Sequence, residues 1–234
     1  MAEFGGAIDF AIPNVTIRDC LFFNNFAVQY GGALFFTDTG IQTYGLPEIN
    51  YPHSGIGTSV SIVNSTFHSN SANHSAGAIA FISSSPAALS LSFELVVLWD
   101  NDVIFDAGAV LLNLQGAANV ISFQSCILSR NFAQNGFGGG LYLTTSQPVC
   151  VPIMYTDTHP MANAFVTEQG TQLHAENTTF LQNQANDGGA LWAFNQSVIV
   201  TLQNCTFIEN FLGFPAPLYA GVGMSSALQQ IPTH

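Results

Sequence analysis

Short stretches of the chain alternate apolar and polar residues with period two, the pattern of a half-buried strand rather than a helix. Three features recur six times in one order. An aromatic residue or Leu is followed three residues later by Asn, at Phe22/Asn25, Phe67/Asn70, Leu98/Asn101, Leu128/Asn131, Phe180/Asn183 and Phe207/Asn210. About nine residues beyond each aromatic position comes a cluster of small residues: Gly31-Gly32-Ala33-Leu34, Ala76-Gly77-Ala78-Ile79, Ala107-Gly108-Ala109-Val110, Gly138-Gly139-Gly140-Leu141, Gly188-Gly189-Ala190-Leu191 and a degenerate Pro215-Ala216-Pro217-Leu218. The positions seven and five before the aromatic are apolar: Val15/Ile17, Val60/Ile62, Leu91/Phe93, Ile121/Phe123, Leu173/Ala175 and Val200/Leu202.

Successive aromatic positions are 45, 31, 30, 52 and 27 residues apart. The short spacings fit one coil of a solenoid, with three short strands joined by tight corners. The prediction is an all-β, single-stranded parallel β-helix of about six coils, right-handed by the usual crossover chirality. A lone coil cannot bury its apolar side chains, so stability comes from stacking. Six coils at about 4.8 Å make a rod about 29 Å long. The two long spacings are loop insertions, about 37–58 and 144–170. Both leave after the strand that follows the glycine cluster and return before the next Val-x-Ile strand, so both project from one side. Their content of Pro and Tyr, and their length, point to contact. Residues 1–234 read as a single β-helix domain that enters in mid-repeat at Gly5-Gly6-Ala7-Ile8, as a segment of a longer chain or filament would.

Each motif residue has a physical job. The Asn sits where the strand turns a corner; it tolerates the left-handed conformation, and its amide can bond the Asn one coil away. These six asparagines are expected to stack. The glycine pair gives freedom at the next corner and room for close approach. Cys20, Cys126 and Cys205 share one position, two before the aromatic, with Ser65, Val96 and Thr178. That is an inward column of small side chains, and its cysteines fall in coils too far apart to bridge.

Charge narrows the function. There is no lysine; Arg18 and Arg130 face 14 acidic residues, for a net charge of −12. Nucleic acid is excluded as a partner, because phosphate contacts need cations. No stretch approaches the roughly 20 apolar residues that span a bilayer, so membrane insertion is not expected. Asn-x-Ser/Thr sequons at Asn14, Asn64, Asn73, Asn177, Asn195 and Asn204 are candidate glycan sites in a secreted setting.

Repeats such as Cys20-Leu-Phe-Phe-Asn-Asn25 with Gly31-Gly-Ala-Leu34, or Cys205-Thr-Phe-Ile-Glu-Asn210, resemble the FxxN and GGA(I/L/V) repeats of the polymorphic outer-membrane protein family. The resemblance covers roughly residues 5–220. It implies a right-handed parallel β-helix in an extracellular or cell-surface setting, as in that family's autotransported adhesins. Similar repeats occur in large secreted proteins of algae and other protists.

No enzyme is expected. Polysaccharide-degrading β-helices need clustered carboxylates with a nearby cation. Asp19, Asp38, Asp100, Asp102, Asp106, Asp157 and Asp187 are scattered, and neither arginine falls near Asp100 or Asp102 in repeat register. The six histidines form no metal motif, and no cofactor is expected. Outward positions say more. The row Phe35, Ala80, Leu111, Tyr142, Trp192, Tyr219 should face out if the row Leu34, Ile79, Val110, Leu141, Leu191, Leu218 faces the core. Phe23 and Trp99 flank the inward aromatic and also point out. Phe35, Tyr142, Trp192, Tyr219, Phe23 and Trp99 are therefore the candidate interaction residues, for self-association head to tail or laterally, for flanking repeats of the same chain, or for glycans. The reading is a non-enzymatic structural or adhesive β-solenoid, glycosylated and associating end to end. The alternative is a carbohydrate-binding or pectin-lyase-like β-helix.

Overall fold

A computed structural model describes residues 2–10, 14–37, 58–83, 88–115, 118–146, 170–194 and 198–212. The described residues are strands and tight corners throughout, without a helix. They form four parallel sheets, one of seven strands and three of six. The fold is the expected right-handed parallel β-helix, but each coil carries four strands rather than three. In the third coil these are Leu89–Glu94, Val97–Trp99, Asp102–Val103 and Val110–Gln115. Their faces are called here the valine, aromatic, short and glycine faces. The two-residue strand of the short face makes the difference, since it is too short to show alternation.

Equivalent strands pair in register, apart from an irregularity between Ala2 and Phe4 in the first short-face strand. Leu91 pairs with Val60 and Ile121 on the valine face, and Leu98 with Phe67 and Leu128 on the aromatic face. The interior is filled by stacked like side chains. Phe22 lies on Phe67 at 4.7 Å between centroids, Phe93 on Phe123 at 4.4 Å and Phe180 on Phe207 at 4.8 Å. Leu34, Ile79, Val110 and Leu141 are buried in the same core, so the choice of the inward row on the glycine face holds. Behind the aromatic–short corner runs a separate buried column: Ala27, Ala72, Val103, Ala133 and Ala185.

That corner is built by asparagine. The side-chain Nδ2 of Asn25, Asn70, Asn101, Asn131 and Asn183 each donates to Oδ1 of the Asn one coil on, at 2.8–3.0 Å. The same Oδ1 accepts the backbone N–H of the Asn before it. The second Nδ2 hydrogen goes to a backbone carbonyl, as from Asn131 to Leu98. The predicted stack is therefore real and its central members are fully satisfied. One detail differs. The left-handed residue is the one before the ladder: Asn24, Ser69, Asp100, Arg130, Gln182 and Glu209, at φ between 46° and 55°. The ladder Asn uses its amide, not its tolerance of positive φ.

Two other corners also turn through positive φ. The valine–aromatic corner does so at Asp19, Asn64, Leu95, Ser125, Asn177 and Asn204. The short–glycine corner does so at the first residue of each glycine pair, where Ala76 and Ala107 stand in for Gly. The second residue is Gly in every described coil. A Cβ on Gly32, Gly77, Gly108 or Gly139 would lie 2.0–2.3 Å from the carbonyl oxygen of the equivalent glycine one coil on.

At the glycine–valine corner Asn119 is buried, its Oδ1 accepting from the Leu89 N–H and its Nδ2 donating to Thr171 Oγ1. The insertions fall almost wholly outside the described residues. Their flanking strands, Leu34–Thr37 and Thr58–Val63, then Leu141–Ser146 and Thr171–Glu176, leave from the glycine face and return on the valine face.

Candidate interaction surface

The small-residue column behaves as its chemistry requires. Cys20, Ser65, Cys126, Thr178 and Cys205 each donate from Sγ or Oγ to the backbone carbonyl two residues before. All three cysteines are free thiols; Cys126 is buried, and Cys20 and Cys205, in the outer coils, are partly exposed. Cys150 lies outside the described residues. Burial pushes the Cys126 thiol up from 9.0 to about 11. The folded chain thus keeps that proton to higher pH than the unfolded chain, so stability falls as pH rises from 9 towards 11. Peptide mapping after reaction with a disulfide reagent at pH 8 should find Cys20 and Cys205 modified and Cys126 untouched until the protein unfolds.

The aromatic face carries an outward stack. Phe23 lies on the His68 ring at 5.1 Å and His68 on Trp99 at 3.6 Å, nearly parallel. Arg130 covers the other side of Trp99, with its guanidinium carbon 5.2 Å from the ring centroid. Here the sequence expectation fails. Arg130 grips Asp100 through two contacts, Nε–Oδ1 at 2.8 Å and Nη2–Oδ2 at 2.9 Å. Both residues immediately precede a ladder Asn, so they occupy one register position in adjacent coils. His68 Nε2 lies 3.7 Å from the same carboxylate. The pair is half-exposed and its contribution to stability is modest. Phe23 is 56% exposed and Trp99 is half-buried. Leu21 and Ile127 extend the exposed apolar stripe.

The row on the glycine face points away from the core as expected, but it is not a free surface. Phe35 is only 4% exposed, and Ala80 and Leu111 are buried with it. Phe4 and Tyr30, from the short face, turn over Phe35 with ring centroids at 5.0 and 6.1 Å. Together they make a second apolar layer outside the first. Tyr142 and Trp192 are half-buried and stack on each other at 4.8 Å. Tyr219 lies outside the described residues. Sugar binding by stacking needs an open ring face. Along both aromatic columns most rings are stacked on neighbours, but Phe23, in the first coil, has a ring on one face only and is largely exposed.

Asn14, Asn64, Asn73, Asn177 and Asn204 are all exposed. Asn195 lies outside the described residues. Among the described residues no three His, Cys, Asp or Glu side chains converge as a metal site would. A small crevice where the first insertion leaves is lined by Phe36, Thr37, Thr58, Val60, Phe81, Ile82, Ser83 and Leu89, without a titratable group.

The coil geometry defines the class, a right-handed parallel β-helix built from FxxN and Gly-Gly-Ala repeats. The Chlamydia polymorphic membrane protein repeat matches residues 177–193, which run from the valine–aromatic corner through the ladder to the glycine face of the fifth coil. The resemblance drawn from the motifs is thus found independently in that coil. No curated protein and no solved structure matches the chain.

Proposed function

We propose that the chain is a non-enzymatic structural or adhesive segment of an extracellular or cell-surface protein, glycosylated and associating end to end. The observation that carries this reading is a rod of stacked coils, matched at one coil by a membrane-protein repeat, whose outward chemistry is aromatic and aliphatic rather than catalytic. The Arg130–Asp100 pair brings a cation to a carboxylate, but bidentate contact and the Trp99 ring occupy the guanidinium. The sequons Asn64, Asn177 and Asn204 sit at the turning residue of the valine–aromatic corner and are exposed there.

Sedimentation of protein from its native source, before and after enzymatic removal of N-glycans, tests both halves. The expected result is an assembly larger than one chain, whose protomer loses mass on deglycosylation. A native protein that sediments as a single chain and is unchanged by the treatment overturns the reading.

A further inference from the structure

We propose that an apolar window on the third and fourth coils, centred on Leu95, docks a cationic polypeptide that presents aliphatic side chains. The proposal rests on the surface-contact reading above and names the place and the partner chemistry.

Leu95 is out of keeping with its column. The same corner position is Asp19, Asn64, Ser125, Asn177 and Asn204 in the other coils. All are left-handed, and short polar residues tolerate that conformation by bonding locally. Leu95 adopts it at φ 55°, where its Cβ crowds the following carbonyl. It gains little burial in return, being 51% exposed. Strained residues cluster at binding and switch sites.

Its neighbours make a patch. Val97 points outward two residues on. Ile127 pairs with Val97 in register one coil away and is 42% exposed. Trp99 closes the far side, held rigid between His68 and Arg130.

The rim selects the occupant. Glu94 precedes Leu95, and the register row Glu94, Gln124, Glu176 runs along one edge. Asp100 and the exposed Asp102 stand on the other. The cation at the window, Arg130, is already held by Asp100. On a chain of net charge −12, this rim repels nucleic acid and anionic lipid. A second copy would bring the same acidic rim against itself. A polypeptide with alternating cationic and aliphatic side chains matches both the rim and the centre.

The test uses fluorescent octapeptides of alternating Arg and Leu, Arg and Ser, or Glu and Leu, titrated against the whole protein at low salt. The Arg/Leu peptide should bind about tenfold more tightly than the other two. Leu95→Asn and Ile127→Thr should each bring it close to the Arg/Ser level. Because Asn suits the left-handed corner, Leu95→Asn should melt at the same or a higher temperature, which separates lost contact from lost fold. Equal binding of the Arg/Leu and Arg/Ser peptides, or unchanged binding by both variants, overturns the proposal. So does a dimer, seen by sedimentation, that Leu95→Asn abolishes, since a second copy is then the occupant. Antibody labelling of intact source cells tests the surface reading by itself and does not depend on the peptides.

Discussion

Gly108→Ala is expected to leave the chain without a cooperative fold, although it adds one methyl group. The new Cβ would stand 2.2 Å from the Gly139 oxygen and 2.5 Å from the Phe132 nitrogen. Both are backbone atoms, so no rotamer can relieve the clash. Coils three and four would have to part, breaking the hydrogen bonds of Ala107 and Gly108 to Phe137 and Gly138. The loss should exceed about 4 kcal/mol, the range reserved for a disrupted core or backbone. The neighbouring Ala107→Gly is the control. Ala107 sits at φ 65°, where glycine is relaxed, so that change should be neutral or stabilise by about 1 kcal/mol. Urea unfolding followed by circular dichroism separates the two. Equal effects from both substitutions would mean that the close approach does not constrain the rod.

Asn131→Ala should cost about 3 kcal/mol, because it orphans several buried groups at once. The Asn101 side-chain and backbone N–H groups lose their shared acceptor, and the Leu98 carbonyl loses its donor. The Asn183 oxygen loses the donor that completes its pair. Asn25→Ala, in the half-exposed first coil, should cost about 1 kcal/mol, since water can replace what is lost there. If denaturation midpoints show the two variants equally destabilised, burial of the ladder is not what gives it strength.

The ladder and the second glycine of each pair were legible because each occupies one position per coil, and chemistry that repeats at a fixed register shows through irregular spacing. The fourth strand was not legible: Ser71–Ala72 or Asp102–Val103 is too short to alternate. The Arg130–Asp100 pair was readable in principle, since both residues precede a ladder Asn. Comparing carboxylates along the chain rather than across adjacent coils hid it. Alternation correctly turned Phe35 away from the core, but periodicity says nothing of a second layer, and Phe4 and Tyr30 supply one. Leu95 carried a sequence signal too, as the apolar member of an otherwise polar column. That signal means something only once the column is known to turn through positive φ.

The asparagine column also gives the rod a direction. From Asn25 to Asn183 each amide passes one N–H to the Asn of the higher-numbered coil, and from Asn70 to Asn210 each side-chain carbonyl receives from the lower, so the ladder runs one way along the axis. A coil inserted upside down would set donor against donor at the ladder. Duplication or excision of whole coils in the same sense keeps every amide paired, whatever the length of chain looped out between them. Spacings from 27 to 52 residues between rungs joined by the same bonds show how little the ladder constrains that length. The polarity of one side chain thus lets such repeats multiply in tandem and bars their inversion.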